Sequence, residues 1–175
     1  ASGEIRLQSM GVTEPTTGTD TTRIKTTAVK KGDRYVINGQ KVWISRIQHS
    51  DFMILLARTT PLDQVKKKSD GMSIFIVDIK EAVKKGLTVR PILNMVNHET
   101  NELFFDNLEI PEENRIGEEG EGFRYLLDGL NAFAQAAARF DYRAPELVEE
   151  PVIEIVGGRH PVVERQVDAF ISNDT

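Results

Sequence analysis

Between about Lys25 and Asn107 apolar and polar residues alternate in short runs, and turn-forming residues interrupt the runs at regular intervals. A period of two predicts antiparallel strands with one buried face. Thr26, Ala28 and Val29 lead into Lys31-Gly32-Asp33, a turn signal, and Tyr35-Val36-Ile37 reads as the returning strand. Asn38-Gly39 predicts a second tight hairpin, because both residues tolerate positive φ, and it hands over to Lys41-Val42-Trp43-Ile44-Ser45. Asp51 to Arg58 is an apolar run of strand length, bounded by Pro61, and the polar stretch from Asp63 to Gly71 reads as a loop. Met72 to Ile79, Leu87 to Leu93 and Leu103-Phe104-Phe105 supply further strands, the last ending at an Asn107 turn. Short strands at this spacing predict a mainly β chain, an antiparallel sandwich or barrel rather than βαβ units.

The pattern changes at Gly117. Gly120 to Gly122 reads as a flexible joint, and Phe123, Leu126, Leu127 and Leu130 share one face of a helix that continues through the alanine-rich run to Phe140. Pro145 stops it; Pro151 to Val156 then reads as a strand, Gly157-Gly158 as a turn and His160 to Val163 as a second short extended piece. The expected organisation is a β-domain over 1–117, a helix over 118–142 and a strand appendage over 143–175.

Composition narrows the function classes. A formal net charge of -5 argues against a nucleic-acid-binding surface, and Lys66-Lys67-Lys68, the only basic run, reads as a solvated loop. With no cysteine, disulfides, thiol catalysis and thiolate metal sites are excluded, which fits a reducing, cytoplasmic setting. No apolar run approaches the ~18 residues of a membrane span. The start, Ala1-Ser2-Gly3-Glu4, has neither the basic nor the apolar region of a signal peptide, and the expectation is an excised or processed segment.

Two segments carry candidate chemistry. Met10 to Asp20 is rich in small, hydroxyl-bearing and turn-forming residues. Its backbone N–H groups and hydroxyls suit an oxygen-rich ligand, and it is equally compatible with a Thr-rich surface loop. Further on, Trp43 and Ser45 stand two apart on a strand and so share a face. An indole beside a hydroxyl is a floor for a flat heteroaromatic ring; a core aromatic is the other reading of Trp43.

Together, Thr13-Glu14-Pro15, Gly18-Thr19-Asp20 and, about thirty residues on, Trp43-Ile44-Ser45 resemble the acyl-CoA dehydrogenase family, whose middle domain carries a T-E-P-x-x-G-S/T-D loop followed by a W-I-S/T strand. Phe104-Phe105-Asp106-Asn107, Ile110-Pro111, Asn114 and Ile116-Gly117 extend the likeness, which covers about 1–132. The resemblance implies a small antiparallel β-barrel that holds FAD. By it, Met10, Val12 and Thr13 face the flavin, Trp43 packs on the isoalloxazine, Ser45 bonds near N5, and Thr19 contacts acyl-CoA. The family often has a glycine-alanine pair at Thr16-Thr17, and asparagine where Arg46 follows Ser45. His49 and His98 read as surface-loop residues without an identifiable partner, and Glu118, Glu119 and Glu121 as acids capping a helix start.

The family's catalytic base, a carboxylate on its C-terminal helical domain, has no counterpart in this sequence, so the resemblance implies a flavin module without turnover. From Phe133 the chain resembles a second family instead. Arg143-Ala144-Pro145-Glu146-Leu147, Gly157-Gly158-Arg159-His160-Pro161-Val162-Val163-Glu164 and Phe170-Ile171-Ser172-Asn173-Asp174 look like the MutS mismatch-repair ATPases, without their phosphate-binding loop. The combination reads as a chimera, engineered or recombined. A folded chimera without ligand is the alternative function. The helix and the Val152 to Val156 strand suit association with a second copy, giving an expected homo-oligomer.

Overall fold

The computed structural model describes residues 5–95 and 99–139. His98 and the expectations for 140–175, including the Pro151 to Val156 strand, lie outside the described residues. The elements are β1 (Leu7–Gly11), β2 (Thr27–Lys31), β3 (Arg34–Ser45), β4 (Phe52–Arg58), β5 (Met72–Asp78), the short helix α1 (Ile79–Ala82), β6 (Leu87–Pro91), β7 (Thr100–Pro111), β8 (Arg115–Ile116) and α2 (Gly122–Arg139). Two compact units are present, one through Tyr125 and one from Leu126 onward.

The first unit is mainly β, as expected. Its eight strands join one sheet in the order β6-β7-β3-β2-β4-β5-β8, with β1 attached to β4. The ends β6 and β8 do not meet, so the sheet is not closed into a barrel. Nor is it purely antiparallel: β1 runs parallel to β4, and β2 touches β4 in parallel through the single pair Thr27–Arg58. That lone bridge is where the sheet folds over. In a flat sheet β3 and β5 would stand three steps of about 4.8 Å apart, yet Tyr35 and Phe75 meet edge to face with ring centroids 4.9 Å apart. The core lies between the two halves, with Ile37, Ile44 and Leu103 on one side and Met53, Leu55 and Val77 on the other. A second cluster, Ile24, Leu56, Met72 and Ile74, covers the other face of β4 and β5, so these two strands are buried on both sides.

The Gly32-Asp33 hairpin forms as read, with Lys31 paired to Arg34. The Asn38-Gly39 hairpin does not: both residues lie inside the twelve-residue β3. Likewise β7 does not end at Asn107 but runs on to Pro111. The two exceptions have one cause. Ile37 pairs with Leu108 and Gly39 with Phe105, leaving Asn38 opposite both Asp106 and Asn107, a β-bulge on β7. Asn107 takes the left-handed conformation (φ 49°), and its N–H donates to Asn38 Oδ1 at 2.9 Å. Gly39 (φ 150°) answers a close approach: a Cβ there would come within 2.6 Å of Thr26 Cα.

The Gly120 to Gly122 segment is docked rather than loose. Gly120 N–H donates to Ser73 Oγ at 2.9 Å, and a Cβ on Gly122 would lie 2.8 Å from the Ser73 backbone. Glu119 is not a cap: its carboxylate accepts the Tyr35 hydroxyl at 2.6 Å. Burial, then that hydrogen bond and charge, push the Tyr35 phenol up to about 12. In the second unit α2 exposes Leu127, Leu130 and Phe133, a stripe at helical spacing. No described helix is long and apolar enough to cross a membrane.

Arg58 ends β4 with its side chain buried, and its guanidinium donates to the carbonyls of Thr22 (2.7 Å), Ile24 (3.3 Å), Lys68 (3.4 Å) and Asp70 (3.1 Å). One side chain thus closes two loops at once. Arg58→Met strands those acceptors and is expected to cost about 3 kcal/mol, read as a loss of roughly 10 °C in thermal unfolding.

Candidate functional site

β1 leaves the sheet at Gly11, and the chain then makes a bend fixed at three points. At the first, Thr13 C=O accepts the Val42 N–H of β3 at 2.9 Å. The second is a turn across Pro15, whose fixed φ suits it, closed by Thr17 N–H to Glu14 C=O at 3.1 Å. At the third, the Asp20 side chain accepts from Thr22 N–H and starts the single turn Thr21–Arg23. Gly18 and Thr19 lie exposed between them. Thr17 is buried, and its hydroxyl has no partner among the described residues.

The interior of the bend is ionic. Glu14 is buried and its carboxylate accepts from Lys25 N–H (2.6 Å), Thr26 N–H (2.9 Å) and Lys41 Nζ (2.9 Å). Lys41, fully buried on β3, also donates to Val12 C=O at 3.0 Å. Burial alone would raise the Glu14 carboxyl, but the Lys41 charge and the hydrogen bonds from Lys41, Thr26 and Lys25 outweigh it and hold it low. Burial pushes Lys41 down to about 8 against the pull of Glu14, so both groups are charged at neutral pH. Neither was singled out from the sequence. The available signal was Lys41 itself: it continues the inward face of Tyr35 and Ile37, and a lysine there demands a buried acid.

The same alternation would bury Trp43, and the structure turns it out. Lys41 pairs with Leu103 and Ile44 with Asn101, so Val42 and Trp43 together oppose one residue of β7. At this second bulge Trp43 adopts φ 61°, and its indole is 62% exposed. Arg46, three residues on, is also left-handed (φ 56°). Such backbone in bulky residues persists only where the surroundings over-determine it. Here the buried Asn101 amide donates to Ile44 C=O at 3.1 Å and Glu99 C=O at 2.8 Å, and Arg46 N–H donates to Glu99 C=O at 3.0 Å.

Among the residues singled out from sequence, Val12 and Thr13 are half-buried at the root of the bend, and Met10 is exposed on β1. Trp43 and Ser45 are both exposed on β3. The Thr13–Val42 and Val12–Lys41 hydrogen bonds bring the bend and the Trp43 strand side by side. Thr19 sits at the exposed tip of the bend and makes no such bond to β3. His49 is indeed on a surface turn, Ile47–His49, but it has a partner: its Nε2 lies 3.3 Å from Glu99 Oε1, and Arg46 bonds the other carboxylate oxygen at 2.8 Å. Sequence separation hid that pairing. No group of three metal-ligating side chains occurs among the described residues.

Glu14 carries a pH signature. Its folded pKa is below its ordinary value of 4.5, so its contribution is present at neutral pH and is lost as the pH falls through the folded value. Glu14→Gln leaves Lys41 uncompensated and is expected to cost about 3 kcal/mol at pH 7. In denaturant titrations that gap narrows as the pH drops below about 4.5.

Comparison with known proteins agrees with this architecture. The profile for "Acyl-CoA dehydrogenase, middle domain" matches residues 9–108. Acyl-CoA dehydrogenase FadE26 of Mycobacterium tuberculosis is 37% identical over 131 residues, 75% of this chain and 32% of that protein. Cyclohex-1-ene-1-carbonyl-CoA dehydrogenase of Syntrophus aciditrophicus is 41% identical over 128 residues, 71% of this chain and 29% of its own length. Among solved structures, the ChsE4-ChsE5 complex from Mycobacterium tuberculosis superposes with a TM-score of 0.62 at 39% identity, covering 70% of this chain and 30% of that one. An acyl-CoA dehydrogenase from Geobacillus kaustophilus gives a TM-score of 0.64 at 32% identity, covering 78% and 40%. The chain spans about a third of the length of the curated relatives it matches. With the profile over most of the β-unit and these relatives beside it, the chain belongs to the acyl-CoA dehydrogenase family and carries its middle domain.

Proposed function

We propose that the bend and the Trp43 strand form one wall of an FAD site serving an acyl-CoA substrate. The observation that carries this reading is the exposed indole of Trp43, held out by a strained bulge beside a bend bonded to its own strand. An indole presented in this way offers a flat apolar face on which an aromatic ring can stack. Met10 and the half-buried Val12 and Thr13 supply the edge of the wall, Ser45 a hydroxyl on the same face as the indole, and Thr19 a hydroxyl toward the acyl-CoA. The orphaned Thr17 hydroxyl fits a bend built to meet further polar atoms. When bound, FAD supplies the hydride acceptor for desaturation of an acyl thioester.

These residues position and shield; they do not abstract the α-proton. The carboxylate of the bend, Glu14, is committed to Lys41, Lys25 and Thr26 and is not free to act as a base. The chain alone is therefore a binding module without turnover, since a positioned base contributes about 10²–10⁴-fold. On its Gly157 to Glu164 string we assign the segment from Phe133 to a MutS-like appendage of a chimera, for which sequencing of the source gene is the check. The exposed Leu127, Leu130 and Phe133 stripe favours self-association, and light scattering is expected to give a mass above one chain.

The test is retention of flavin. Incubated with FAD and desalted, the protein is expected to stay yellow, and Trp43→Ala is expected to weaken binding by about tenfold, one stacked ring being worth roughly 1 kcal/mol or more. A colourless wild-type protein refutes the reading.

A further inference from the structure

The buried ammonium of Lys41 does more than neutralise Glu14. Two of its hydrogen bonds run to different parts of the bend, one to the Glu14 carboxylate at 2.9 Å and one to the Val12 carbonyl at 3.0 Å. The next carbonyl, that of Thr13, is taken by Val42 N–H at 2.9 Å. Both carbonyls at the root of the bend therefore point into β3. No peptide bond among the described residues is cis, and in a trans peptide N–H and C=O point in opposite directions. Holding the Val12 carbonyl on Lys41 turns the Thr13 N–H away from β3, and that N–H makes no hydrogen bond to any described residue. A backbone donor of the bend is thus turned away from the Lys41 ammonium and left without a partner among the described residues.

We propose that Lys41 is a positioning residue for the flavin wall: by pinning the Val12 carbonyl it presents the Thr13 N–H as a fixed donor to an electron-rich ring edge. Resting as it does on the FAD reading above, this adds a residue that touches no ligand and acts through the peptide in front of it. The cost of burying an ammonium is offset by the carboxylate beside it. A methionine of similar length would fill the same space, but it cannot orient a carbonyl. A donor fixed at the ring edge favours the reduced, electron-rich flavin, since a preorganised dipole needs no rearrangement as charge develops.

The experiment uses two variants of the full chain. Lys41→Met alone strands a buried carboxylate and puts folding at risk. Lys41→Met combined with Glu14→Gln removes the charge pair as a unit, and the single amide oxygen introduced by Glu14→Gln can still accept from one of the Lys25 and Thr26 N–H groups. In the double variant the Val42 amide, monitored by hydrogen exchange, is expected to exchange at least tenfold faster than in wild type. The Leu55 and Phe75 amides of the β4–β5 ladder should be unchanged. Apparent FAD affinity falls about tenfold, and the bound flavin's midpoint potential moves to a more negative value. Unchanged Val42 exchange overturns the proposal, as does wild-type affinity and potential in a variant that holds flavin. A wild-type chain that takes up no flavin refutes the FAD reading instead, and the exchange result then decides whether Lys41 sets the bend.

Discussion

The arrangement of this domain's candidate site depends on one buried ion pair. Lys41 and Glu14 sit twenty-seven residues apart in sequence and 2.9 Å apart in space, both out of water. Either charge alone in that place would be strongly unfavourable; together, with two backbone N–H groups and one carbonyl completing their hydrogen bonds, they are satisfied. What they join matters more than their net stability. Glu14 belongs to the bend, Lys41 to the strand that carries Trp43, and Lys25 and Thr26 to the entry of β2. The pair ties the bend to two segments, β3 and the entry of β2, that the β2–β3 ladder already joins to each other.

Two bulges do the complementary work on the sheet. The one opposite Asn38 lets β3 and β7 stay paired over most of twelve residues while the sheet curves. The one at Val42-Trp43 breaks the alternation where it would have buried the indole. Backbone strain at Trp43 and Arg46 is held by Asn101 on the neighbouring strand and Glu99 just before it. Fold and site are therefore linked: the bonds that stabilise the turn after Ser45 also keep a large aromatic surface in water.

Much of this was legible in the residues. The period of two over Met72 to Ile79, the apolar run from Asp51 to Arg58 and the turn at Gly32-Asp33 map onto β5, β4 and the β2–β3 hairpin. The Thr13-Glu14-Pro15 and Trp43-Ile44-Ser45 strings led to the right family. Asn38-Gly39 misled, because a sequence signal for positive φ does not distinguish a hairpin from a bulge beside a tight crossing at Thr26. β1 was missed because its parallel partner lies far along the chain, at Phe52 to Leu55. For the same reason Glu99 was not seen as the partner of His49, nor Glu119 as that of Tyr35. Local pattern reports faces and turns; the pairing of distant polar groups is decided by the fold.

Membership of the family supplies the context, and the geometry supplies a candidate surface: a bend tied to a strand, with a single indole turned outward. Because Trp43 is the only tryptophan, its fluorescence reports on that surface alone. Titration of the full chain with FAD tests the central claim most directly. The account predicts the emission of a water-exposed indole, quenched in a saturable manner as flavin is added. An emission of buried character, or one that FAD leaves unchanged, would contradict it.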